Sequence, residues 1–224
     1  MKTFLDTKHY FYLVLINLLI LLLTPKWCFF ISLILTFYIL YLFRNPGALY
    51  KDNFKNPQNI FLAPIYGEVK QIRHNVVHSE LGNELTEINL SMLRSGPVGL
   101  YLPIQCEVTE VLKNKESHFL RTLRECDPRK EIYLPSQEKE TVTGIIVKFK
   151  SIQGQNLAIQ IVKGFVGIWP KVWLAPGDIG RPGACFGFLP LGGTVLLYLP
   201  KDTEILIRPG TTVSAGQTTL AAKL

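Results

Sequence analysis

The chain has 224 residues, 48% of them hydrophobic and 18% charged, with a formal net charge of +7 at pH 7. That length accommodates a short hydrophobic segment plus one domain with its own core. The charge suits an anionic partner, and because no aromatic-interleaved basic motif or zinc-finger spacing occurs, nucleic acid is excluded in favour of a lipid surface.

In chain order, the first element is a pair of apolar runs, Phe11–Leu23 and Cys28–Phe43, separated by Thr24-Pro25-Lys26-Trp27. Each is somewhat shorter than the about 20 residues of a comfortable membrane span. Two such runs joined by a Pro-Lys-Trp turn predict a transmembrane helical hairpin over residues 1–44, shallow or tilted, with Tyr and Trp at the interface. Lys2, Lys8, Arg44, Lys51 and Lys55 flank it, which places both ends, and the domain that follows, on the cytoplasmic side of the inner membrane. A secretory signal peptide would explain the first run but not the second, and no small-residue cleavage site follows Leu23.

Residues 45–61 read as a polar, Pro-containing linker, and residues 62–224 as the domain proper. "GEVKQI", "VGLYLPIQCEVTEVL", "TGIIVKFKSI", "NLAIQIV", "GTVLLYLP" and "TEILIRPG" are short Val/Ile/Leu/Tyr-rich runs bounded by Gly and Pro. They predict a mainly β fold, α+β at most, of sandwich or barrel-sandwich type. A short helix is predicted near "SHFLRTLREC", where Phe119, Leu120 and Leu123 fall on one side. "APGDIGRPGACFG" and "RPGTTVSAGQTTL" form a weak internal repeat: each opens a turn with Pro-Gly and carries another Gly six positions later. Such a repeat suggests pseudo-symmetry of the lipoyl-carrier kind, but no lysine stands at a hairpin tip to carry a group.

Cys28, Cys106, Cys126 and Cys185 form no CxxC pair and read as reduced thiols. His74 and His78 would share a face of either a helix or a strand. No third ligand accompanies them, so no metal is expected.

The order of parts carries a resemblance. "FRNPG", "LAPIYGEV", "DPRKE", "PGDIGRPGACFGFLPLGGTVLLYLP" and "PGTTVSAGQTTLA" together resemble the short bacterial and archaeal form of the phosphatidylserine decarboxylase family. The likeness spans nearly the whole chain and is weakest from about His74 to Lys139. It implies a fold and a chemistry. In that family a serine of a Gly-Ser pair attacks the preceding carbonyl, and the chain breaks to leave a pyruvoyl group. That group accepts the substrate amine and takes up electrons as CO₂ leaves. A His oriented by an Asp activates the serine.

Carried over residue by residue, the cleavage-site glycine falls on Gly192 and the serine on Gly193. The Asp falls on Tyr66, the serine opening the same segment on Ala63, and the His near Val98. No His lies between His78 and His118 and no Asp between Asp52 and Asp127. The expectation is therefore a family member without a pyruvoyl cofactor, catalytically degenerate, holding phospholipid membrane and anionic headgroups as partners in a regulatory or lipid-binding role. Two rivals stand beside it: an active phosphatidylserine decarboxylase working by an unusual route, and a structural adaptor. For the first, Thr194 offers a hydroxyl one residue out of register, and Tyr66, His78 or His118 would have to supply acid or base.

Overall fold

The computed structural model describes residues 7–23, 25–43, 59–78, 81–92, 96–114, 144–163, 169–190 and 192–223. The helix expected near residues 117–126 lies outside them, as do His118 and Cys126.

Two helices come first, α1 (Thr7–Leu23) and α2 (Lys26–Leu42), each of 17 residues. Pro25, with no N–H to offer, caps the start of α2, and its carbonyl accepts the Cys28 N–H at 2.9 Å. The pair is held by polar side chains in an otherwise apolar seam. Asn17 Nδ2 donates to Thr36 Oγ1 at 2.8 Å, and Ser32 Oγ donates to Asn17 Oδ1 at 2.9 Å. The expected fold, a β domain behind a transmembrane hairpin, is corrected here. The chain is mainly β, but neither described helix is long and apolar enough to cross a membrane. At a rise of about 1.5 Å per residue each covers roughly 25 Å, against about 30 Å of bilayer hydrocarbon.

Fourteen strands follow among the described residues: β1 (Ile60–Leu62), β2 (Gly67–His78), β3 (Gly82–Met92), β4 (Gly99–Tyr101), β5 (Cys106–Asn114), β6 (Gly144–Ser151) and β7 (Asn156–Lys163). The second set is β8 (Lys171–Val172), β9 (Ile179–Gly180), β10 (Cys185–Phe188), β11 (Gly193–Pro200), β12 (Thr203–Ile205), β13 (Thr212–Val213) and β14 (Thr219–Lys223). A large sheet runs β13-β2-β3-β11-β7-β6-β5-β9, and two small sheets run β1-β14-β12 and β4-β10-β8. One apolar core joins them: Ile88, Leu90, Val147, Ile159, Val195 and Leu197 from the large sheet meet Phe61, Leu100, Phe186 and Leu220 from the small ones. Alternation puts the neighbouring residues of each long strand on the opposite, outer face.

The sheet orders are palindromic. Each strand of the set β4 to β10 has a counterpart in the same place among β1–β3 and β11–β14. The chain echoes this: Pro64-Ile65 and Glu68-Val69 match Pro103-Ile104 and Glu107-Val108. Reciprocal hydrogen bonds tie the two copies, from Leu62 N–H to the Pro103 carbonyl and from Tyr101 N–H to the Pro64 carbonyl, both 2.8 Å. The Pro-Gly turns obey the same symmetry. Gly177 donates to Val108 at 2.8 Å and Gly210 to Val69 at 2.7 Å; Gly183 donates to Leu102 at 2.8 Å and Gly216 to Ala63 at 2.9 Å. All four glycines have positive φ, and a Cβ on Gly216 would lie 3.2 Å from the Gly183 Cα, so the two copies meet where only glycine fits. The domain is thus two interlocked seven-strand halves, with β4–β10 inserted between β3 and β11.

Candidate functional site

The chain passes between halves twice: ahead of β4, where Val98 stands, and ahead of β11, where Gly192 and Gly193 stand. The two crossings touch. Val98 is buried, and its carbonyl accepts the Leu189 N–H at 2.8 Å. Gly192, at φ +81°, donates back to the Leu189 carbonyl at 3.4 Å and closes the turn. The conformation explains a glycine at 192, because an L side chain is strained there. Gly193 opens β11 opposite Lys163 on β7. Position 193 shares the inner side of β11 with Val195 and Leu197, towards the core that also holds Val98 and Leu189.

Tyr66 lies between β1 and β2, and its ring meets that of Tyr101 edge to face at 6.1 Å. Tyr101 lies back over Gly99: a Cβ at 99 would come within 2.7 Å of its ring. Cys185 pairs with Tyr101 across β4 and β10, and its Sγ donates to the Gly187 carbonyl at 3.4 Å. The position carried over for the Asp thus leads into an aromatic pair and a thiol. Burial, then the proximity of Cys185 and Tyr66, pushes the Tyr101 hydroxyl above its ordinary range. Burial likewise raises the Cys185 thiol, partly offset by backbone hydrogen bonds at Gly187 and Leu100. Both groups therefore stay protonated at neutral pH and take up no proton there. Tyr101 and Cys185 were not singled out from the sequence. The Pro-Ile-x-x-Glu-Val repeat, which aligns the β1–β2 and β4–β5 connections, is the signal that sets the Tyr66 segment against the stretch just after Tyr101.

The remaining candidates fall elsewhere. Thr194 points to the outer face with Leu196 and Tyr198, away from the side on which position 193 opens. His78 is buried at the end of β2 with its ring 5.1 Å from that of Tyr198, also on the outer face. Thr194 and Tyr198 are four residues apart on β11, roughly 13 Å at strand rise. The structure thus joins Val98 to the Gly192–Gly193 turn and separates both from Thr194 and His78. Among the described residues no group of three His, Cys, Asp or Glu is placed to hold a metal ion.

A sequence model of phosphatidylserine decarboxylase matches residues 100–221. Among curated relatives, a phosphatidylserine decarboxylase proenzyme of Desulfotalea psychrophila is 25% identical over 191 residues, covering 85% of this chain and 82% of the relative. One of Syntrophotalea carbinolica is 24% identical over 194 residues, covering 86% and 83%. One of Symbiobacterium thermophilum reaches 36% identity over 67 residues, covering 30% and 31%.

Proposed function

The chain belongs to the phosphatidylserine decarboxylase family, and on that footing we propose that it has given up self-processing and serves phospholipid metabolism as a lipid-binding or regulatory protein. One observation carries the reading. By the family carry-over, the turn expected to present the serine presents Gly193, held beside Val98, near which the His is expected, and Tyr66 stands where the Asp is expected. A hydroxyl nucleophile needs a base, and an acyl shift needs the hydroxyl. Here position 193 has no side chain, and Tyr101 and Cys185, beside the Tyr66 position, hold their protons. No pyruvoyl group is expected. The purified protein should be one chain of the full 25.4 kDa under denaturing mass spectrometry. A separate C-terminal fragment with a blocked 2-oxoacyl end would overturn the reading and restore the active decarboxylase.

The same proposal seats the protein on the cytoplasmic membrane surface without a span. Support comes from the helix pair, apolar all round and exposed at its bend, where Leu22 and Leu23 are each 73% and Trp27 82% accessible. Phe43, Phe188 and Trp173 form an aromatic chain that joins α2 to the β domain, with centroids 6.2 and 6.0 Å apart. Such rings suit the headgroup layer, and the net charge of +7 suits an anionic leaflet. The full chain should float with anionic vesicles and stay bound at high salt. Replacing Leu22 and Trp27 by Asp puts two charges at the inserted tip, at a cost of about 2–3 kcal/mol each, and should release it. Unchanged flotation of that variant would refute insertion of the bend.

A further inference from the structure

The outer face of the large sheet carries a second feature, remote from the Gly192–Gly193 turn. One row of side chains crosses six strands in register: Arg73, Glu87, Tyr198, Ala158, Lys148 and Glu110. Five are large and one is small, so the row has a notch at Ala158. A cavity of about 400 Å³ opens there, within the range of small-ligand sites. Leu81 and Leu85 wall it from the β2–β3 hairpin, and Tyr198 and Ala158 form its floor. Lys148 and Lys150 stand two apart on β6 and so on the same face. Lys148 reaches Glu110 at 2.8 Å, beyond the lining, whereas Lys150 makes no ion pair among the described residues. No described lining residue is acidic.

A free anion would engage the lysines but leave the leucine wall wet. A neutral hydrocarbon would fill the wall but leave Lys150, which makes no ion pair among the described residues, to water alone. A molecule with a phosphate head and an aliphatic tail satisfies both. We infer that the Ala158 notch binds an anionic, phosphate-headed amphiphile on the sheet face opposite the lost processing centre. The inference rests on the lipid-binding reading above and gives it a location.

The full-length chain is titrated by calorimetry with dihexanoyl phosphatidic acid, kept monomeric in solution. Dihexanoyl phosphatidylcholine and inorganic phosphate serve as comparisons. The phosphatidic acid should bind, with the other two at least about tenfold weaker. Ala158→Leu, which fills the notch, and Lys150→Glu should each weaken it about tenfold. Lys171→Glu, a change of an exposed lysine on β8 of a small sheet, should leave it unaltered. Lys150 is exposed, so its variant tests the site even where Ala158→Leu disturbs the sheet. Equal binding of phosphatidylcholine, or of phosphate alone, overturns the proposed ligand. Undiminished binding by both site variants places the lipid elsewhere, such as on the helices. No binding at all sinks the site, while the single-chain mass would still stand for lost processing.

Discussion

Gly193→Ser alone should leave the chain uncut. The new hydroxyl would project from the inner side of β11 towards Val98 and Leu189, the right side for attack. It would find no base: Val98 is apolar, and Tyr101 and Cys185 remain protonated. An unactivated serine is a poor nucleophile at neutral pH. Adding Tyr66→Asp and Val98→His supplies the missing groups; the Leu189–Val98 hydrogen bond holds position 98 at the Gly192 turn, and position 66 faces Tyr101, two residues along from Gly99. The triple variant should cleave measurably faster than Gly193→Ser, by about 10²-fold, the contribution of a positioned general base. Denaturing mass spectrometry over days of incubation reads both. Efficient cleavage by the single variant would reveal a base already in place, and an inert triple variant would show that Tyr101 bars the triad geometry.

Arg73→Ala should cost about 3 kcal/mol of stability. Glu87 is fully buried on the outer face, and Arg73 holds its carboxylate with Nε at 2.9 Å and Nη2 at 2.7 and 2.8 Å. Removing the guanidinium strands a buried charge, which costs more than the ion pair itself contributes. The double change Arg73→Leu with Glu87→Leu removes both charges and should recover most of the loss. Urea unfolding of wild type, single and double variants decides it; a double variant no better than Arg73→Ala would refute the buried-charge account.

How legible the molecule was depends on which residues are asked. The runs that became β2, β4 with β5, β6, β7, β11 and β12 carry the Val/Ile/Leu/Tyr signal of strands, and composition was enough for them. β3 lies at the heart of the large sheet and was passed over, although "GNELTEINLSM" alternates Ile88, Leu90 and Met92 with Glu87, Asn89 and Ser91 as a half-buried strand does, because it is poor in the β-branched and aromatic residues that marked the others. Its polar side meets cross-strand partners, Arg73 above all, and partners from distant sequence are invisible to a local reading. The helical hairpin was legible as two helices and misread as a span, since apolar character without enough length does not cross a bilayer. At the site, Tyr66, Val98 and Gly193 are legible as residue types, and reading them as lost processing groups belongs to the proposal above. The folding of the Tyr101 ring back over Gly99 was not, because it depends on which way a side chain lies along its own strand.

The insertion of β4–β10 between β3 and β11 has a bearing on what a broken backbone would look like. The peptide bond at 192–193 lies on the chain connection from β10 of the inserted half to β11. β11 itself is laddered on both sides, to β3 over seven registered positions and to β7 over six. β13 and β14 continue the weave into the edge of the large sheet and the middle of a small one. A cut at that bond would therefore leave a heterodimer of interlocked pieces with the hydrodynamic size of the intact protein. Backbone continuity and native shape are separate properties here, and only a denaturing measurement distinguishes a proenzyme from its product.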